Sequence, residues 1–313
     1  MNEPLSTTLL TQLPGKTVSH PLSGEKLLLT TPNFRAGNAS FLKSRGLQLL
    51  NALAALKVQV LGSFWLPGMH IYRCEELLPL PNSIKELNQQ LFVGVTNAPM
   101  LTKGWYSFKG DPIMVVENVW ENVEDYQRSF KQKYRSRYKK ILNLSAKITV
   151  TRVTSDEEFK ICADLFHNTL APKVAALPEN LATFLGDFSQ WFGMQYEVIG
   201  AKDSTGGILG FIGFLKDGKV LRAMHYGAAE NAPEGLYSLL MFETIHRGIE
   251  GGFEEVNLGR TATEIKSTYG AVARDNYFSF YTQRPLLKMI LRASKKRYKS
   301  KVYTLRSPFK DNI

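Results

Sequence analysis

The stretch GRTATEIKSTYGA, residues 259–271, sets two cations, Arg260 and Lys266, in a segment with the marks of a short helix. Gly259 permits a sharp turn. Thr261 and Glu264 have the Thr-x-x-Glu spacing of a capping box, and Gly270 suits the position after a helix C-terminus. Capping does not explain Arg260. A cation at a helix N-terminus opposes the macrodipole, by roughly 0.3–1 kcal/mol. Pairing Arg260 with Glu264 at i+4 uses the weaker orientation of such a pair. The chemistry these residues suit is anion holding. Arg260, Thr261 and the free N–H groups of the helix start would grip a phosphate or carboxylate, with Lys266 as a second charge. The plainer alternative leaves Lys266 as a cation favourably placed near a helix C-terminus.

These residues need a frame, and 313 residues are ample for two domains. The net charge is +11, concentrated in two places. Residues 126–147 carry eight Lys/Arg and no acid; residues 284–313 carry ten Lys/Arg and one acid, Asp311. The two segments hold +17, so the remainder is acidic by six charges. A uniformly basic nucleic-acid binder is excluded, but each segment suits a polyanion: phosphate, anionic lipid or RNA. The alternative for both is a solvated helix face. Cys74 and Cys162 have no metal-type spacing and read as idle thiols. The start, MNEPLSTTLLTQLPGK, lacks a basic leader followed by an apolar run, and LLNALAALKVQVLG (49–62) is too short to span a bilayer. The expectation is a soluble, cytoplasmic protein.

Helices are predicted over 38–56 and 83–91, with strands at 57–65, 69–74, 92–96 and 112–119. Tyr126, Phe130, Tyr134 and Tyr138 form an apolar stripe on one helix, 126–142, and a domain boundary is placed near residue 120. Then come a strand (147–153), a helix opened by the Ser155/Glu158 capping box, and a helix over 178–192. Strands at 196–202, 208–216 and 219–228 follow, the last two joined by the hairpin signal Asp217–Gly218. A long helix (234–252), a strand (254–258), the opening motif and a last strand (276–282) complete the chain. This is a mixed α+β layer, not a doubly wound sheet. PLLKMILRASKKRYKSKV (285–302) reads as a basic amphipathic helix with Leu286, Leu287, Ile290 and Leu291 on one face. It would lie on an anionic membrane surface or pack back on the domain. No P-loop, Gly-x-Ser-x-Gly elbow or His-Glu-x-x-His is present, and no metal site is expected.

The run of antiparallel strands, long helix and strand over 196–258 resembles the GNAT acyltransferases. DPIMVVE (111–117), KYRSRYKKIL (133–142) and LGRTATEIKSTYGA (258–271) resemble more closely their Fem-like, peptidoglycan-biosynthesis-like branch. That resemblance covers residues 111–282. It implies a largely antiparallel central sheet flanked by helices and two GNAT-like domains in tandem, the first reduced. The expected organisation is 1–120, 121–285 and a basic tail, 286–313. It also implies direct transfer: an amine attacks a thioester or ester in the cleft where two strands splay apart, here between 219–228 and 254–258. His225 and Tyr226 near that splay become the candidates for base and proton donor. Only one of the two should face the cleft, since successive strand residues point opposite ways. The alternative for each is a half-buried sheet residue.

One departure bears on the donor. Acetyl-CoA users of this superfamily carry Arg/Gln-x-x-Gly-x-Gly/Ala before the long helix. Here GAAENAPEGLYSLL (227–240) keeps only Gly235, and Glu230 and Glu234 set negative charge where a pyrophosphate would bind. Fem-like enzymes take an aminoacyl group from tRNA. The basic helix, with Arg135 and Arg137, would then serve tRNA or a nucleotide-linked acceptor. The implied function is N-acyl or aminoacyl transfer from acyl-CoA or aminoacyl-tRNA without a metal. The alternative is a GNAT-like scaffold that only binds RNA or anionic lipid.

Overall fold

A computed structural model describes residues 16–19, 26–30, 34–36, 58–61, 91–170, 176–178 and 184–310. In chain order the elements are β1 (Lys16–Ser19), β2 (Lys26–Thr30), β3 (Phe34–Ala36), β4 (Val58–Leu61), β5 (Leu91–Thr96), β6 (Trp105–Lys109) and β7 (Ile113–Glu117). Helices α1 (Val123–Ser129) and α2 (Gln132–Leu142) lead to β8 (Thr149–Arg152), α3 (Asp156–Leu170), β9 (Ala176–Pro178) and α4 (Phe184–Phe192). Next come β10 (Tyr196–Lys202), β11 (Ile208–Asp217), β12 (Val220–Ala228), α5 (Leu236–Glu250), β13 (Glu255–Asn257) and α6 (Thr263–Ser267). The last are β14 (Val272–Arg274), β15 (Tyr277–Tyr281) and α7 (Pro285–Arg297). The helices expected over 38–56 and in most of 83–91, the strand at 69–74, and Cys74 lie outside the described residues.

The chain divides into two units. The first takes the described residues within Met1–Pro112, Lys173–Glu179 and Asp275–Val302. Its main sheet has the order β1-β2-β4-β5-β15-β6, antiparallel except where β4 and β5 run parallel. Leu287 and Leu291 of α7 bury against Leu91, Tyr106 and Phe108 of this sheet. The strand expected to close the C-terminal domain, 276–282, is β15, and it sits here between β5 and β6.

The second takes the described residues within Ile113–Pro172, Asn180–Arg274 and Tyr303–Ile313. Its sheet has the order β14-β7-β13-β12-β11-β10-β8. All its pairings are antiparallel except that of β12 with β13. Helix α5 buries Leu239, Leu240, Phe242, Ile245 and Ile249 in the core shared with Tyr126 and Tyr138. The aromatic stripe predicted this packing, since an apolar face repeating every three to four residues must be covered. The single helix predicted over 126–142 is broken in two. Phe130 is extended (φ −66°, ψ 139°) because its backbone bridges Phe309 near the chain's end. The Ser155/Glu158 box forms: Ser155 Oγ accepts the Glu158 N–H (3.2 Å), and the Glu158 carboxylate reaches back to the Thr154 N–H (3.1 Å).

Candidate functional site

The parallel pair β12 and β13 stays together for three residues, Val220 to Arg222 against Glu255 to Asn257. Two local features then drive the strands apart. Met224 is an extra residue in β12: Phe214 faces Ala223, Gly213 faces His225, and Met224 has no partner across β11. Such a bulge bends and twists its strand. On the other side Gly259 turns the chain at φ +78°, which a side-chain-bearing residue rarely adopts. The Asn257 side chain accepts the Gly259 N–H (2.9 Å), and Leu258 and Gly259 stay bonded to Met114 of β7. The departing chain therefore follows β7 while β12 runs on to Ala228.

Lys266 points into this wedge. A Cβ at Gly259 would lie 3.9 Å from Lys266 Nζ and 3.7 Å from the Ala223 carbonyl oxygen. Lys266 is only 2% exposed. Among the described residues no hydrogen bond or ion pair reaches its amine. Burial, with the nearby Arg260 charge, lowers its pKa to about 7. A buried amine left without a carboxylate is costly, and groups so perturbed concentrate at functional sites.

The expected capping box around Lys266 does not form. The residue preceding α6 is Ala262, left-handed at φ 54°, with no side-chain cap. Thr261 is exposed, one position too early to cap, and Glu264 accepts the Thr304 N–H instead (3.2 Å). Helix α6 has five residues, so the dipole argument for an anion at its start loses most of its force. Arg260 is half-buried beside Lys266, and its carbonyl accepts the Thr263 hydroxyl (3.2 Å).

His225 and Tyr226 face opposite sides of the sheet, as alternation requires. The His225 imidazole is 1% exposed, with Phe166 and Phe188 against it and the Tyr196 hydroxyl 2.8 Å from Nδ1. Burial holds it neutral, its pKa lowered to about 3. Tyr226 turns to the α5 side and meets Tyr237 edge-on, with ring centroids 4.9 Å apart. It remains half-buried, and burial raises its phenol pKa. Sequence reading missed the group around it: Tyr237, and Tyr269 with its hydroxyl 2.7 Å from Ser238. Ordinary helix-face residues carry no signal of such a meeting. Of the two α2 arginines, Arg135 donates to the backbone carbonyls of Arg128 (2.7 Å) and Phe130 (3.0 Å), so it ties the α1–α2 corner together. Arg137 is exposed; burial raises the pKa of the Tyr269 phenol, and the Arg137 charge opposes that only in part.

Residues 128–267 match the model of the Acetyltransferase (GNAT) domain. This segment is similar to a GNAT domain. No curated protein matches the sequence. FemX shares the fold at a TM-score of 0.54 and 12% identity, over 90% of this chain and 91% of its own. L-PGS from Bacillus licheniformis does so at 0.50 and 14%, over 83% of this chain and 96% of its own. At such identities the likeness is one of fold.

The start of the long helix α5 is packed from within. Gly235, at φ +95°, precedes α5, and a Cβ there would lie 2.9 Å from Ile141 Cδ1 and 3.0 Å from Leu144 Cδ1. Exposed Glu230 and Glu234 flank it. Cys162 is buried, its thiol pushed up to about 12, which makes it a poor nucleophile at neutral pH. Among the described residues, no group of His, Cys, Asp or Glu could hold a metal, and no helix is long and apolar enough to cross a membrane.

Proposed function

We propose that the protein transfers an acyl or aminoacyl group to an amine, with Lys266 as the proton-transfer group and Arg260 holding an anionic part of a substrate. The buried, unpaired Lys266 amine in the wedge carries this reading. At a pKa of about 7 it is present in both forms near neutral pH, which suits an acid–base role. The acceptor amine attacks the donor's carbonyl carbon. A C–N bond forms and the C–O or C–S bond breaks. Neutral Lys266 takes the proton lost by the attacking nitrogen and, now charged, returns it to the leaving oxygen or sulfur. Tyr226, kept protonated by burial, is the candidate hydrogen-bond donor to the oxyanion. His225 supports from behind β12, where its neutral ring fills an aromatic pocket. Thr261 and Arg137, both exposed, complete the proposal as further contacts to an anionic substrate.

The packed end of α5 favours an ester donor such as aminoacyl-tRNA over acyl-CoA. Ile141, Leu144 and the two glutamates occupy or repel where a pyrophosphate would sit. The first unit reads as a reduced copy of the same fold, on the strength of its mixed sheet with one parallel pair and a covering helix. Titration calorimetry with coenzyme A should show no saturable binding at millimolar ligand, while filter binding retains aminoacyl-tRNA. Saturable coenzyme A binding that Arg260→Ala abolishes would overturn the choice of donor.

A second reading, surface attachment to anionic lipid, is favoured by α7. Three of its four expected apolar residues pack inward, but Leu286 is 63% exposed and Met289 60% exposed. Lys288, Arg292, Lys295, Lys296 and Arg297 share the helix, and no acid does. Exposed apolar side chains rimmed by cations suit a bilayer interface. The protein should sediment with phosphatidylglycerol vesicles and not with phosphatidylcholine ones. The Leu286→Ser/Met289→Ser double variant should lose most of that binding. Undiminished binding in the double variant would leave only a polyanion contact.

A further inference from the structure

The residues that carry Lys266 are poorly equipped to hold it. Helix α6 is five residues long, is entered through a left-handed alanine and has no side-chain cap. A segment this short has no stability of its own, because nucleation costs more than one turn of hydrogen bonds returns. Something outside the helix must fix it.

The end of the chain does so. Residues 303–310, which form no helix, run past α6. The Thr304 N–H donates to the Glu264 carboxylate (3.2 Å) and the Arg306 N–H to Ser267 Oγ (2.9 Å). Glu264 and Ser267 are one helical turn apart, so they share a face. Thr304 and Arg306, two residues apart, both turn their N–H groups to that face. Lys266 lies between the two acceptors in sequence. The Ser267 hydroxyl in turn donates to the Glu264 carbonyl (2.7 Å), which closes the turn.

Farther on, the segment is anchored again. The Phe309 ring lies directly over Gly270, where a Cβ would come within 2.0 Å of it. It meets Trp120 and Phe130, each at 5.1 Å between ring centroids. The Lys131 N–H donates to the Pro308 carbonyl (2.8 Å), and the Lys310 N–H to the Ser129 carbonyl (3.0 Å). One end of the strap thus grips α6, and the other is fastened at the α1–α2 corner.

The geometry points to residues 303–310 as a strap that positions Lys266, with Glu264, Ser267 and Phe309 as its positioning residues. The inference rests on Lys266 as the working group of the proposed transfer, but its test is independent of any substrate. If the strap keeps Lys266 in the wedge, loosening it lets the amine reach water, and its proton affinity rises toward the ordinary lysine value of about 10.4. Arg260 is the charged group whose field reaches this amine, and the strap variants leave it in place.

The full chain, labelled with carbon-13 at lysine Cε, is titrated by NMR, and Lys266→Met identifies the signal. Wild type should show one lysine with a midpoint near the 7 given by burial. Phe309→Ala and Glu264→Ala should each move that midpoint up, whereas Glu264→Gln, which keeps an acceptor oxygen, should leave it near the wild-type value. A midpoint that stays near 7 in Phe309→Ala and Glu264→Ala overturns the strap and spares the reading of Lys266. A Glu264→Gln shift as large as that of alanine also overturns it. Should Phe309→Ala fail to fold, the two Glu264 variants decide alone. An ordinary midpoint in wild type removes both readings.

Discussion

Lys266→Met is expected to make the protein more stable at pH 6 and to abolish transfer. The folded-state pKa of Lys266 is lowered to about 7, from an ordinary 10.5. Between those values the unfolded chain holds more protons than the folded one. Stability therefore climbs with pH across that window, by about 1.4 kcal/mol per pH unit from this group. Below pH 7 the whole cost of burying the amine is felt, on the order of 5 kcal/mol. Above pH 10.5 it is gone. Methionine is similar in shape and carries no such cost, so its advantage should be largest in acid and shrink as the pH is raised. Urea unfolding of both proteins at pH 6, 8 and 10 reads this directly. Parallel curves would mean that Lys266 is solvated or paired in solution, and the proposed role would go with them. Transfer should fall by roughly 100-fold or more, as for loss of a positioned acid–base group. A residue kept at a stability cost and needed for transfer belongs to the site.

The second large effect is expected at the root of the wedge. Arg222, on the last rung before β12 and β13 part, is paired with Asp217 in the adjoining hairpin (Nη2 to Oδ2, 2.8 Å). Both side chains are buried, at 6% and 3% exposure. Asp217→Ala leaves a buried guanidinium without its carboxylate, a change that costs about 3–5 kcal/mol. For a domain of this size that is a fall in melting temperature on the order of 10 °C. The Asp217→Leu/Arg222→Leu double variant should recover most of the loss, since a buried ion pair is often replaceable by apolar residues of similar volume. Calorimetric melting of the three proteins tests both statements. A loss below about 1 kcal/mol in Asp217→Ala would show that water already reaches the pair.

The elements that local patterns specify were legible in the sequence. Alternating residues marked β10, β11 and β12, Asp217–Gly218 marked the hairpin between the last two, and Ser155 with Glu158 marked the start of α3. These signals work because they depend on neighbours within a turn or a strand. Arg260 and Lys266 were also legible as candidates, since their residue types and the glycines around them are local. What surrounds them was not. Thr261 and Glu264 had the spacing of a capping box, yet Glu264 accepts from Thr304, forty residues on. The helix expected over 126–142 had good periodicity, yet it breaks where Phe130 pairs with Phe309. The last expected strand of the second domain, β15, joined the first unit's sheet.

By itself, the sequence determined the α+β order, the aromatic stripe that buries α1 and α2, and the two cations of the opening motif, all through periodicity and turn chemistry over short spans. Tertiary structure alone decided that the extra residue Met224 helps to open the wedge, that His225 faces an aromatic pocket rather than the cleft, and that Lys266 is buried without a carboxylate. Burial and electrostatic partners come from segments distant along the chain, and no local pattern encodes which of them will meet.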